Sequence, residues 1–141
     1  MRFMMLMIPK GYESAEPGTM PSAEDVAAMM KYNESLKRAG VLLSLDGLHP
    51  PSMGARVIFD NGKPRVFDGL FAEAKEVLGG YWMIQVRSRE EAIEWAKRCP
   101  VIGDDTIEVR QVQEFDDFPA EIAEHLKGFT EMQPHYPGTQ A

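Results

Sequence analysis

The segment RFMMLMI, residues 2–8, is apolar at odd and even positions alike. That pattern predicts a strand covered on both faces. Pro9, Gly11, Pro17, Gly18 and Pro21 then mark a loop of about a dozen residues, longer than the usual connection and therefore a candidate for function. Ser22, with Asp25 three residues on, carries an N-cap signature. The helix it opens, over 23–39, is expected to bury Val26, Met29, Met30, Asn33 and Leu36. Lys31, Glu34, Lys37 and Arg38 form its polar face. Gly40 is the expected stop, since glycine adopts positive φ at no steric cost.

The stretch 41–51, VLLSLDGLHPP, reads as a second strand ended by two prolines. Residues 55–69 predict a hairpin around Asn61-Gly62, a strong two-residue turn signal. Lys63-Pro64 interrupts the return strand, so a short and imperfect arm is expected. The segment FAEAKEVL (71–78) reads as a helical turn or loop. Gly79-Gly80 then leads into YWMIQVR (81–87), apolar on both parities except Gln85. Ser88 and Glu91 have the spacing of a full capping box for a second helix. Its buried stripe is expected at Ala92, Ile93, Ala96 and Cys99, and Pro100 ends it. TIEVRQV (106–112) alternates, with Ile107 and Val109 on one side, as a half-buried strand does. A short amphipathic helix over 120–127 precedes a tail, QPHYPGTQA, expected to fray.

This order of elements predicts an α+β fold: a ferredoxin-like antiparallel sheet with two helices on one face and an inserted β-hairpin between its second and third strands. The other face of such a sheet should be wet and polar. Here it would carry Met4, Leu6, Ile8, Tyr81 and Met83. Each large side chain is worth about 1.5–3 kcal/mol when fully buried, so that face needs a cover. The expected cover is the same face of a second copy, giving a homodimer. The alternative is that the hairpin or the C-terminal tail folds across it.

Charge and composition narrow the partners. The chain has 141 residues and a formal net charge of −7, with no basic run longer than pairs such as Lys37-Arg38. An acidic surface without a basic stripe repels phosphate backbones, so no nucleic-acid partner is expected. The N-terminal apolar run covers only Phe3–Ile8, with no small-residue cleavage site after it. It is too short to span a membrane. The expected location is the cytoplasm, with no membrane partner. One cysteine, Cys99, allows no internal disulfide, and it sits on the expected buried stripe as a small hydrophobe. No metal site is expected, because the histidines lack close-set partners. No glycine-rich phosphate loop, nucleophile elbow or dinucleotide fingerprint occurs, so no cofactor is expected.

The blocks MKYNESLKRAGVLLSLDGLHP, FDGLFAEAKEVLGGYWMIQVRSREEAIEWAKRCP and IEVRQVQEF resemble the YCII-related family, and within it the branch named for a DGPF motif. The resemblance covers residues 1–115 as one domain and leaves 116–141 as a C-terminal extension. The motif itself reads Asp68-Gly69-Leu70-Phe71, with leucine where the family has proline. The resemblance implies a dimeric α/β barrel, in agreement with the hydrophobic pattern. It implies no single reaction. Some members of the broader family resemble enzymes that carry a His–Asp pair in a pocket, with lactone-forming or dehalogenating chemistry. Others in the branch sit beside regulators of transcription initiation.

Candidate site residues follow from the acid-rich loop and the strand ends. Asp68, Glu73, Lys75 and Glu76 can line a pocket between sheet and helices or at the barrel mouth, near Tyr81 and Trp82. A carboxylate beside a lysine in such a cleft suits proton transfer on a small carbonyl compound. His49, at the end of the second strand, is the candidate base that would pair with Asp68. The bland reading makes Asp68-Gly69 a turn and the charged run a solvated connector. Two functions stay open: a binder or enzyme for a small organic molecule, and a non-catalytic dimeric interaction module linked to transcription regulation.

Overall fold

A computed structural model of the chain describes residues 1–69, 76–101 and 103–136. Among them, β1 (Arg2–Ile8) is the hub. It pairs antiparallel with β5 (Gly80–Gln85) on one side and with β6 (Thr106–Gln111) on the other. β2 (Leu42–Gly47) pairs with β5, which makes the sheet order β2-β5-β1-β6. β3 (Ala55–Asp60) and β4 (Lys63–Asp68) form a separate two-stranded arm. The fold is α+β with antiparallel sheets, consistent with the ferredoxin-like arrangement read from the sequence. No helix of the described residues is long and apolar enough to cross a membrane.

Strand alternation sets the core. Phe3, Met5 and Met7 of β1 point to one face together with Trp82 and Ile84 of β5. They pack with Tyr32 and Leu36 of α1 (Ala23–Arg38) and with Ala92 of α2 (Arg89–Lys97). Cys99 joins this cluster, as expected. Ser22 caps α1 by accepting from the Asp25 N–H at 3.1 Å, and Gly40 after it has φ 75°. Ser88 caps α2 in the same way through the Glu91 N–H. The return half of that box differs from the expectation: Glu91 Oε2 accepts from the Arg87 N–H, one residue earlier, at 2.8 Å.

The buried stripe of α1 also differs. Val26 and Met30 are 45% and 49% exposed, whereas Tyr32 is 5% exposed. At 100° per residue, a stripe centred on Met29 and Leu36 leaves Val26 and Met30 on the flank. Tyr32 takes the other flank because its hydroxyl finds a partner there: it donates to the Trp95 carbonyl of α2 at 2.7 Å. Its ring meets Trp82 edge-on, with centroids 5.6 Å apart.

The arm is more regular than the sequence suggested. Asn61 (φ 49°) and Gly62 (φ 76°) make the turn, and the ladder runs without a break from Asp60↔Lys63 to Ala55↔Asp68. Pro64 is tolerated because it lies opposite Phe59, next to the pair that closes the two-residue turn. A non-hydrogen-bonded pair of this kind turns its backbone nitrogens away from the partner strand, so no ladder bond is lost.

Gly79-Gly80 has a steric reason. A Cβ on Gly80 would lie 2.8 Å from the Asp46 carbonyl oxygen, and one on Gly79 would lie 2.5 Å from Pro9 Cγ. The contact at Gly80 is with backbone, which yields less readily than a side chain. Gly80→Ala should therefore lower stability by about 1–3 kcal/mol, the usual range for overpacking. Urea unfolding checks this, and a midpoint equal to that of the natural chain would refute the close contact.

The second face of the sheet is apolar, as expected. Met4, Leu6 and Ile8 are half-buried, and Met83 is only 8% exposed. The C-terminal segment accounts for part of this cover. Thr130, Gln133, Pro134 and Tyr136 line a groove of about 380 Å³ with Arg2 and Gln85, both on this face. The Tyr136 side chain lies near both Arg2 and Tyr81. Arg2 is tied to Glu114 by paired hydrogen bonds of 2.6 and 2.9 Å, which anchor the chain as it leaves β6. The tail expected to fray is thus half-buried at Gln133 and Tyr136; residues 137–141 lie outside the described residues.

Candidate functional site

Beyond Gly47, the end of β2 is held from two directions. The Leu48 N–H donates to the Gly79 carbonyl at 2.9 Å, and the Leu48 carbonyl accepts from the Tyr12 hydroxyl at 2.6 Å. Burial raises the Tyr12 phenol above its ordinary range, which keeps it a donor. Pro50 and Pro51, both buried, then fix a tight turn. In it the Met53 and Gly54 N–H groups donate to the Pro50 and Pro51 carbonyls at 2.9 Å. The Gly69 N–H donates to the Gly54 carbonyl, which ties the root of the arm to this turn.

These constraints leave an open cleft of about 470 Å³ at the base of the arm. His49 and Glu76 both line it, and Arg56 of β3 lines it with them. Pro50, Pro51, Val77 and Leu78 give it apolar walls. Chemically this is an imidazole, a carboxylate and a guanidinium around a partly apolar hollow. An imidazole changes charge near neutral pH and can carry a proton. A guanidinium suits a carboxylate or enolate oxygen.

The other candidates are placed differently. Asp68 is exposed at the arm's root, where it is the ladder partner of Ala55, itself a cleft residue. Asp68 is not among the described residues lining the cleft, and no hydrogen bond or ion pair joins it to His49. Glu73 and Lys75 lie outside the described residues. A pocket does exist between the sheet and α1, of about 260 Å³, but among the described residues none of the candidates His49, Asp68 and Glu76 lines it; Asn33 is the polar side chain on its α1 wall.

Sequence reasoning missed Arg56, whose place follows only from the arm's register. It also missed Glu13 and Ser52, whose Glu13 Oε2 and Ser52 Oγ atoms are buried without a hydrogen-bond partner among the described residues. Their short turns, Tyr12–Ser14 and Pro51–Met53, pack on one another beside the cleft. The long loop after β1 was the one available signal for Glu13.

No curated protein matches the chain. A family model does: the YCII-related domain, over residues 1–116. That match takes in both helices, the four-stranded sheet, the arm and the walls of the cleft, and the chain belongs to the YCII-related family.

Proposed function

We propose that this chain is a homodimeric protein of the family's DGPF branch that binds a small organic molecule and moves a proton on it. The observation that carries this reading is the presence of His49 and Glu76 in one cleft, beside Arg56 and an apolar wall. His49 takes a proton from carbon next to a carbonyl, Glu76 holds or relays it, and the apolar wall receives the rest of the molecule. The substrate class is small carbonyl compounds such as lactones and keto acids.

The test is a thermal-shift screen of small acids, lactones and phenols. A ligand that binds the native state raises the melting temperature in step with RT ln(1 + [L]/Kd). His49→Ala and Glu76→Gln should abolish that shift while leaving the ligand-free melting temperature nearly unchanged, since both side chains are exposed. The reading fails if no compound shifts the natural chain. It also fails if the shift survives both substitutions.

The homodimer is supported by the apolar second face. The C-terminal segment reaches the end of that face marked by Arg2 and Gln85, and a facing sheet from a second copy would close the dimeric α/β barrel. Sedimentation equilibrium at micromolar concentration should give twice the chain mass; a well-folded monomer there overturns this part of the proposal.

One feature favours the alternative, a non-catalytic interaction module linked to transcription regulation. Val57, Phe59, Pro64 and Val66 share one face of the arm by their register and are all exposed. An isolated two-stranded hairpin is marginally stable in water, so such a face profits from a partner.

A further inference from the structure

We propose that the pocket between α1 and the β2 edge is a second ligand site, built for a neutral single-ring aromatic carrying a carbonyl that accepts a hydrogen bond from Asn33. The site shares no lining residue with the His49 cleft, and it does not rest on the reaction proposed there.

Asn33 carries the inference. It is a half-buried amide on the core-facing side of α1, between Met29 and Leu36. A polar group in that position is costly unless its hydrogen bonds are made. One is made: the Trp82 indole N–H donates to Asn33 Oδ1 at 2.8 Å. An indole N–H can only donate, so this bond fixes which end of the amide is oxygen. The NH₂ end, with two hydrogens, meets a single protein acceptor among the described residues, the thioether sulfur of Met30 at 3.6 Å. A thioether is a weak acceptor. Asn33 therefore presents a donor whose direction is set by Trp82 and whose capacity is not filled.

The space around it suits an aromatic ring. The pocket is about 260 Å³, and an apolar cavity of about 150 Å³ is enough to hold benzene. That volume leaves room for a substituted single ring. Met7, Met29, Leu45 and Trp82 supply apolar wall, and the methionines can adjust to the ring's outline. Gly47, Gly79 and Gly80 supply wall without side chains. Asp46 also lines the pocket, but its carboxylate turns to the other face of the sheet, where it accepts from the Tyr81 hydroxyl at 2.7 Å. Among the described residues no cation lines the pocket, so an anionic ligand would lose its hydration without gaining a counter-charge and is disfavoured. Neutral aryl ketones and aryl amides are the matching class.

The experiment uses the full chain labelled with ¹⁵N and titrated with benzamide, benzoate and toluene. These probes share a ring and differ in the acceptor and its charge. With benzamide, the Asn33 side-chain NH₂ and the Trp82 indole N–H resonances should move together and saturate. Benzoate and toluene should move them at least about tenfold more weakly, the usual worth of one hydrogen bond in affinity. Asn33→Asp keeps an acceptor for Trp82 and removes the NH₂ donor, so benzamide should bind it about tenfold more weakly or not at all. Should Asn33→Asp fail to fold, Leu45→Trp offers a second variant that fills the pocket mouth, and it should abolish the benzamide response. The proposal is overturned if benzamide leaves both resonances in place up to its solubility. It is overturned equally if toluene binds as well as benzamide, or if Leu45→Trp leaves the benzamide response intact.

Discussion

Tyr32→Ala should destabilise the protein by about 3–5 kcal/mol, the range for removing a buried aromatic side chain. Tyr32 is 5% exposed and lies where three elements meet. It belongs to α1, its ring stands edge-on to Trp82 of β5, and its hydroxyl donates to the Trp95 carbonyl of α2. Truncation opens a cavity between both helices and the sheet. Total stabilities of domains this size are about 5–15 kcal/mol, so the variant should unfold at far lower urea concentration. Tyr32→Phe separates packing from hydrogen bonding. It keeps the ring and removes the hydroxyl, while the Trp95 carbonyl still accepts from the Arg98 N–H at 3.1 Å. No backbone group is orphaned, and the loss should be about 1 kcal/mol. Equal losses for the two variants would mean that the hydroxyl, not the ring, holds α1 to the sheet.

Tyr32 also marks where the sequence stopped being legible. The strands, caps and hairpin were readable because their signals are local. Ser22 and Ser88 sit one residue before their helices, and Asn61-Gly62 accommodates the positive φ its turn requires. Hydrophobicity ranks Val26 and Met30 above tyrosine, and so by itself places the stripe of α1 on the wrong flank. What decides the matter is an acceptor on α2, 63 residues away in the chain. Burial on a helix flank is a tertiary outcome, and the 3.6-residue period resolves it only to within a flank.

The same distinction holds for the site. His49 and Glu76 could each be singled out as chemistry at the end of an element, but their convergence depends on the β2–β5 ladder and on the Leu48–Gly79 hydrogen bond. Neither is written in local spacing. The family resemblance implies a His49–Asp68 pair; the arm's register places Asp68 opposite Ala55, itself a cleft residue, and no hydrogen bond between the two side chains is formed. By pattern Asn33 is one polar member of an apolar stripe, and its significance emerges only with Trp82, which orients its amide. The apolar second face was legible from alternation alone. That the chain after β6 would return to it depends on the long-range Arg2–Glu114 pair, which no local pattern encodes.

Raising the pH above about 9 should unfold the protein progressively, through Cys99 and then Tyr32. Burial pushes the Cys99 thiol up from 9.0 to about 11, with the charge of Asp105 adding to the effect. Burial also raises the Tyr32 phenol from 10.0, helped by the neighbouring Cys99. In both groups the folded state holds its proton more tightly than the unfolded chain does. The stability this gives is complete below the unfolded values and falls as pH rises through the window up to the folded values, because the unfolded chain then binds fewer protons. Each group contributes a slope of up to about 1.4 kcal/mol per pH unit, first from Cys99 near pH 9 and then from Tyr32 near pH 10. Growing negative charge on an already acidic chain acts in the same direction, so the variants must separate the contributions. Under reducing conditions, Cys99→Ala should flatten the stability curve between pH 9 and 11 while lowering its plateau. Tyr32→Phe should flatten the limb that begins near pH 10 and leave the Cys99 limb intact. If Cys99→Ala keeps the slope of the natural chain between pH 9 and 10, the thiol is not what couples alkaline pH to unfolding, and general charge repulsion takes its place.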